Sequence, residues 1–408
     1  MELKSLESAA TEVVDILRQG GYAAYFAGGW VRDFLLGIAS DDIDVATSAQ
    51  VSDIKRLFPK NIPVGVHFGI IVVIHKGFHF EVATFRKDLT YSDGRRPDGF
   101  ISTDAEEDAQ RRDFTINGLF YDPFNQQVID YVGGQRDIVH KVIRAIGHPY
   151  DRFKEDRLRM IRAVRYAVRL NFDIEFETKE AIKKSAHELM NSVSVERVWQ
   201  EFHKMHKFSC LAKGLLLMDD LSLLKQIFFD KELTAKQALN GWEGHDLPPV
   251  ILILSLYPDS DEISIASLLD RLKVSNEERR LADFWIKARD LLQHSVEQQK
   301  EIEPYEWLFL YAHRYGDECV SIYLNKHSSS TKHLLLSFHK KQKKELEEAL
   351  DRFMKKETVL QAKDLMTEGV LPGLKMGSIL KLADRLSVNL GIHDKEELIK
   401  WLKNNNLI

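Results

Sequence analysis

The sequence predicts a mixed α/β head followed by an all-helical remainder. Three observations carry that prediction. Strand-like runs alternate with helical periods over about the first 135 residues, no convincing strand follows Gly134, and 408 residues are too many for one compact core. Residues 5–19 place Leu6, Ala9, Val13, Ile16 and Leu17 on one helical face, which Gly20-Gly21 ends. Residues 22–26, 43–47, 70–75, 80–85 and 128–131 read as strands, and 51–58 and 105–118 as helices. His148-Pro149 opens a helical neck. Pro248-Pro249, Pro258-Asp259-Ser260-Asp261 and Pro372-Gly373 punctuate the helical remainder. The expected domains are a head at 1–147, a neck at 148–205, a helical body at 206–330 and a helical tail at 331–408.

Composition is that of an ordinary globular chain, with 44% apolar and 29% charged residues. Two cysteines, Cys210 and Cys319, form neither a disulfide framework nor a zinc pattern, which suits a reducing compartment. The opening MELKSLESAA carries no targeting signature, and the most apolar run, 250–256, is far below the roughly 20 residues a bilayer span requires. The expectation is a cytoplasmic protein without a membrane segment. His245-Asp246 and His393-Asp394 do not assemble into a phosphohydrolase metal site; among 15 histidines such adjacency arises by chance.

The chemistry begins at Ala27-Gly28-Gly29-Trp30-Val31-Arg32-Asp33. Paired glycines let backbone N–H groups approach phosphate oxygens, and a short helix at 34–37 would add its own N–H groups. Asp42 and Asp44 stand two apart in a strand-like segment, so alternation points both carboxylates to one face, where they can share hard divalent cations. A phosphate cradle beside a metal-binding pair suits nucleotidyl transfer. Alone, each piece reads as a turn or a solvated loop; together at short range they do not.

Two further segments, Arg111-Arg112-Asp113-Phe114-Thr115-Ile116-Asn117 and Glu155-Asp156-Arg157-Leu158-Arg159, complete a pattern that resembles the class II tRNA nucleotidyltransferases, which share a family with bacterial poly(A) polymerases. The resemblance is strong over residues 20–205. It implies a polymerase-β-like nucleotidyltransferase head, Mg²⁺ held by Asp42 and Asp44, and a third catalytic carboxylate at Glu81, which otherwise reads as an exposed strand residue. It implies that Gly28, Gly29 and Arg32 hold the triphosphate. Arg112 and Asp113 would meet the ribose, although Arg111-Arg112-Asp113 also reads as a helix-capping ion pair.

From residue 155 to 170, Ile161, Val164 and Val168 form an apolar stripe while Asp156, Arg159, Arg162 and Arg165 wind along the other side. The plain reading is a solvated basic face; the resemblance implies a protein template for the incoming base. An arginine can donate to cytosine O2 and N3 while an aspartate accepts from the N4 amine, and a small reorientation serves adenine N1 and N6. Guanine and uracil present a donor where the arginine needs an acceptor. Asp156 and Arg159 would thus read the base, with Arg162 and Arg165 near the phosphates or the RNA end. Ser194-Val195-Glu196-Arg197 with Glu201 looks like the bracing motif of the family, with Ser194 as N-cap and an Arg197–Glu201 pair.

The polar stretch 88–97 resembles the flexible loop of CCA-adding and A-adding enzymes. The implied activity is template-independent addition of CMP and/or AMP to the 3′ end of tRNA from CTP and ATP. A bacterial poly(A) polymerase is the nearest alternative, disfavoured by Gly65-Val66-His67-Phe68-Gly69-Ile70 and by the lack of a long basic extension. A non-catalytic RNA-binding protein on a polymerase-like fold is the other, disfavoured because Asp42, Asp44 and Asp156 are present. A net charge of −5 is low for an RNA partner, but residues 136–169 hold ten Lys/Arg against four Asp/Glu. The run Lys340-Lys341-Gln342-Lys343-Lys344 fits a solvated helix as well as an RNA contact.

Overall fold

The computed structural model describes residues 2–64, 66–89, 98–230, 233, 235–239, 247–257, 260–296, 302–324 and 328–408. Most of the loop expected at 88–97, namely 90–97, lies outside the described residues, as do Gly65 and the side chain of His67. The chain divides into two compact units, 1–239 with 270–273, and 240–269 with 274–408.

In the first unit, α1 (Glu2–Gln19) buries Leu6, Ala9, Ala10, Val13, Val14 and Leu17 against the sheet. The seven-stranded sheet comprises β1 (Ala24–Ala27), β2 (Asp44–Thr47), β3 (Asn61–Ile62), β4 (Ile70–His75), β5 (Phe78–Thr84), β8 (Leu119–Asp122) and β9 (Gln127–Asp130) in the order β3-β4-β5-β2-β1-β8-β9. Only β2 and β5 pair in parallel. A separate two-stranded ribbon joins β6 (Arg86–Asp88) to β7 (Phe100–Ser102). The sheet's other face packs Ala27, Ala46, Phe85 and Phe120 against Ala105 and Ala109.

Two expectations change in the head. The helix expected over 105–118 stops early as α4 (Ala105–Gln110), and after a 3-10 turn at Thr115–Asn117 the chain enters β8, whose four residues are all buried. The helix expected at 34–37 is α2 (Gly29–Leu35), starting at the glycines themselves. α3 (Val51–Leu57) follows the expected span, and α5 (Gly134–His140) starts where the Asp130 side chain accepts from the N–H groups of Val132, Gly133, Gly134 and Gln135. Position 134 admits only glycine, since a Cβ there would lie 2.2 Å from the Thr115 carbonyl oxygen.

The neck differs in one functional respect. Pro149 opens α6 (Pro149–Glu155) as expected, but the helical rod breaks at Asp156, whose backbone is extended, before α7 (Leu158–Leu170) begins. A short parallel bridge, β10 (Val142–Ile143) with β11 (Asp173–Ile174), corrects the expectation of no strand after Gly134. The helices α8 (Phe176–Ser185), α9 (Leu189–Ser192), α10 (Val195–His206), α11 (Leu211–Asp220) and α12 (Leu223–Phe228) come next, with α10 and α11 packed on α7.

The second unit is helical among its described residues. Leu360, Leu365, Met376, Ile379, Ala383, Ile392, Leu398 and Leu402 form one of its cores. Another joins Trp307 and Tyr311 of helix Pro304–Tyr311 to Phe338 and His339 of helix Ser329–Glu345. His339 is buried, its Nδ1 lies 2.8 Å from the Tyr311 hydroxyl, and burial pushes its imidazole down to about 4. The folded chain therefore keeps His339 neutral where the unfolded chain takes up a proton. Stability should fall as pH drops from about 6.5 towards 4, by on the order of 3 kcal/mol from this group. His339→Phe should flatten the pH profile of thermal unfolding across that window; an unchanged slope would contradict the assignment. Among the described residues, no helix is long and apolar enough to cross a membrane.

Candidate active site

Sheet register builds the site. Antiparallel pairing sets Asp44 opposite Ala27, so the Gly28-Gly29 turn sits beside the carboxylate at the strand end. Gly28 has φ +70°, and a Cβ there would lie 3.0 Å from an Arg112 guanidinium nitrogen; a larger residue would strain the turn and push Arg112 away. The Gly28 N–H donates to the Leu119 carbonyl at 3.0 Å, tying the turn to β8. β2 and β5 pair Val45 with Val82, and extending this parallel register back one residue brings Glu81 beside Asp44.

Asp42 lies two residues before β2, not within it. Burial pushes the Asp44 carboxyl up to about 7, reinforced by the negative charges of Asp42 and Glu81 and only partly opposed by Arg112. Glu81 is likewise raised by burial and by Asp42. This uncompensated negative charge, carried on hard oxygen donors, is the environment a divalent cation would relieve, so the donor set fits such a metal. Among the described residues no group of three or more His, Cys, Asp or Glu closes around one point. The charge of Glu81 reaches Asp44 and helps to raise its carboxyl.

Asp42 and Asp44 share a cavity of about 630 Å³ with Gly28, Gly29, Arg32, Arg112, Asp113, Asp156, Arg159, Arg162 and Arg165. Every expected site residue except Glu81 lines it. Ten Arg or Lys side chains line the cavity against six Asp, a balance that favours an anionic ligand.

Most of these arginines are engaged with partners within the chain. Arg32 is buried; it donates to Asp33 Oδ1 at 2.8 Å and to Asn117 Oδ1 at 2.7 Å, while Arg169 holds the other oxygen of Asp33 at 3.0 Å. Arg32 is thus a fixed wall of the cavity, not a freely extended side chain. Asp113 accepts from the Phe114 N–H, from Asn117 Nδ2 and twice from Arg162, at 2.8 and 2.5 Å. With about four lone-pair positions filled, its carboxylate orients Arg162 and has little capacity left for a sugar hydroxyl. Burial would raise the Asp113 carboxyl, but Arg162, the Asn117 amide and Arg159 hold it far below the carboxylate range. Asp113→Ala should cost about 2–4 kcal/mol, tempered because Arg162 keeps partial solvent contact. A melting temperature equal to wild type would contradict this.

The base-reading pair is also engaged. Asp156 caps the Leu158 N–H at 3.1 Å and takes Arg197 at 2.9 Å. Arg159 donates to Glu155 at 2.5 Å and to the Arg152 carbonyl at 3.0 Å. The expected Arg197–Glu201 pair is not formed. Glu201 instead lies 2.6 Å from Arg165, a charge contact without hydrogen-bond alignment, and accepts from Lys204 at 2.9 Å. Ser194 occupies the N-cap of α10 without a side-chain capping bond. No cavity-lining arginine of α7 is in the solvated-face arrangement, since Arg159, Arg162, Arg165 and Arg169 are all buried or half-buried.

Two residues escaped the sequence reading. Asp108, 1% exposed, accepts from Arg111 at 2.9 Å and from Arg112 at 3.0 Å, and so aligns both arginines. Burial would raise its carboxyl, but Arg112 and Arg111 hold it down. Its i,i+3 and i,i+4 spacing to those arginines was a detectable signal. Tyr166, inside the arginine run, had no such signal.

Residues 24–144 match the family model described as "Poly A polymerase head domain", and residues 171–236 match "Probable RNA and SrmB- binding site of polymerase A". The CCA-adding enzyme of Ligilactobacillus salivarius is 34% identical over 405 residues, covering 97% of this chain and 95% of the relative. That of a Geobacillus species is 34% identical, covering 98% and 97%. The crystal structure of the Bacillus stearothermophilus CCA-adding enzyme in complex with CTP superposes with a TM-score of 0.72 at 28% identity, over 98% of this chain and 97% of that one. The Thermotoga maritima CCA-adding enzyme complexed with tRNA shares the fold, with a TM-score of 0.70 at 20% identity over 97% and 94% of the two chains. Relatives above 30% identity over nearly their whole length, a matching head model and a matching fold place the chain in one family: it belongs to the CCA-adding enzymes, which are nucleotidyltransferases.

Proposed function

We propose that this chain adds CMP and/or AMP to the 3′ end of tRNA, without a nucleic-acid template, from CTP and ATP with Mg²⁺, in the cytoplasm. One observation carries the reading: the carboxylates Asp42 and Asp44 share a single cavity with the arginines and aspartate of the α6–α7 break. Chemistry and base choice can therefore act on the same nucleotide.

Asp42 and Asp44 would hold Mg²⁺, with Glu81 adding negative charge nearby. When bound, Mg²⁺ lowers the pKa of the attacking hydroxyl and neutralises the departing pyrophosphate. The backbone at Gly28 and Gly29 and the wall formed by Arg32, Arg162 and Arg165 would receive the triphosphate. Arg112, held by Asp108 beside the glycine turn, would meet the ribose. The terminal 3′-oxygen of the RNA forms its bond to the α-phosphorus as the bond to pyrophosphate breaks. Asp156 and Arg159 read the base edge. Asp156 Oδ2 has acceptor capacity beyond Arg197. Arg159 must exchange its bond to Glu155 for one to the base, a desolvated exchange that favours only a base offering matching acceptors.

The test offers purified protein three tRNA transcripts, ending before CCA, after C and after CC, with each NTP separately. Extension of the first two by C and of the third by A indicates full CCA addition. Extension of the third alone indicates a terminal A-adding enzyme. Equal use of UTP or GTP, or no extension of any transcript, would refute the proposal.

A further inference from the structure

Three guanidinium groups converge on one aromatic ring at the join of head and neck. The Tyr166 centroid lies 5.1 Å from the Arg32 guanidinium carbon, 5.6 Å from that of Arg162 and 4.2 Å from that of Arg165. Arg32 comes from α2, the other two from α7, and all four side chains line the nucleotide cavity. Tyr166 is 7% exposed and is braced edge-on by Phe114 at 5.8 Å. Its hydroxyl oxygen accepts from Arg162 at 3.3 Å.

Three cations so close repel one another in a medium that screens poorly. Each has its own carboxylate: Arg32 has Asp33, Arg162 has Asp113 and Arg165 has Glu201. Those carboxylates lie on three different elements and do not by themselves fix the distances among the cations. All three approach the electron-rich ring, and it attracts each of them. Burial would raise the phenol's pKa, yet the charges of Arg162, Arg165 and Arg32 hold it below the usual tyrosine value.

We propose that Tyr166 is a positioning residue for the triphosphate: its ring holds Arg32 of the head and Arg162 and Arg165 of the neck in one arc, spaced to meet several phosphates at once. The inference rests on the reading of the cavity as an NTP site, and it assigns the ring no contact with the base.

The test compares wild type with Tyr166→Phe, which keeps the ring, and with Tyr166→Met and Tyr166→Leu, which fill the space without one. Two quantities are measured on whichever non-aromatic variant circular dichroism shows to be folded: KM for CTP and ATP at saturating tRNA, and binding of inorganic tripolyphosphate. The ring-less variant should raise KM for both nucleotides and weaken tripolyphosphate in parallel, by about tenfold, with kcat and the preference for CTP over UTP little changed. Tyr166→Phe should stay within about twofold of wild type. Wild-type KM and tripolyphosphate affinity in the ring-less variant would overturn the proposal, as would a loss confined to one nucleotide or an equal loss in Tyr166→Phe. Tripolyphosphate binding needs no turnover, so an inactive wild type would sink the functional reading while leaving the ring's role separately measurable.

Discussion

Asp42→Ala or Asp44→Ala is expected to lower incorporation on the order of a thousandfold or more, with tRNA binding nearly intact. Both carboxylates line the cavity, Asp42 exposed and Asp44 half-buried, so the loss falls on chemistry and not on the fold. Asp44 permits a sharper test with the uncharged isostere Asp44→Asn. Its carboxyl is raised in the folded chain to about 7, mainly by burial and by Asp42 and Glu81. Below the unfolded value near 4 the group is protonated in both states. As pH rises from there through 7 the unfolded chain releases the proton first, and the folded state loses stability. At pH 8 without divalent cations, Asp44→Asn should therefore melt at or above the wild-type temperature while remaining inactive. A variant that melts well below wild type would make Asp44 a structural residue; one that turns over normally with saturating Mg²⁺ would remove it from the chemistry.

Arg159→Ala should relax base choice more than it weakens triphosphate binding. Losing one paired base contact costs about 1–3 kcal/mol of discrimination, so misincorporation of UTP or GTP should rise ten- to a hundredfold. The structure adds a control. Arg159 is held by Glu155 and by the Arg152 carbonyl, so Glu155→Gln should weaken that hold without removing the reader. Its selectivity should stay closer to wild type than that of Arg159→Ala. Unchanged preference for CTP over UTP in Arg159→Ala would move base reading to another residue.

Local patterns were legible where a local cause decides the structure. The apolar stripe of α1, the strand-like run of β4 and the proline opening α6 all came through, because residue pattern and fixed φ act over a few residues. The strand β8 did not. Its Leu-Phe-Tyr-Asp is buried on every residue, so it lacks the alternation that marks a half-exposed strand, and it comes soon after a genuine helix. The break at Asp156 was also hidden, since no Gly or Pro marks it. It accompanies an ion pair to Arg197, 41 positions away, and a cap on Leu158. At the site, the residue types were legible from their motifs, but their partners were not. Arg162 meets Asp113 across 49 positions and Arg165 meets Glu201 across two helices, pairings that only the packed neck creates.

The most direct measurement gives the protein tRNA stripped of its CCA end, and separately tRNA ending in CC, each with all four NTPs at equal concentration and Mg²⁺, with the RNA 3′ ends then sequenced. A pocket in which protein groups read the base should leave ends extended only with C and A, in the order C, C, A, and stopping there. An A-only enzyme would leave the stripped tRNA untouched and add a single A to the CC end. Homopolymeric A tails of variable length, or ends carrying U or G as often as C, would contradict base reading by Asp156 and Arg159.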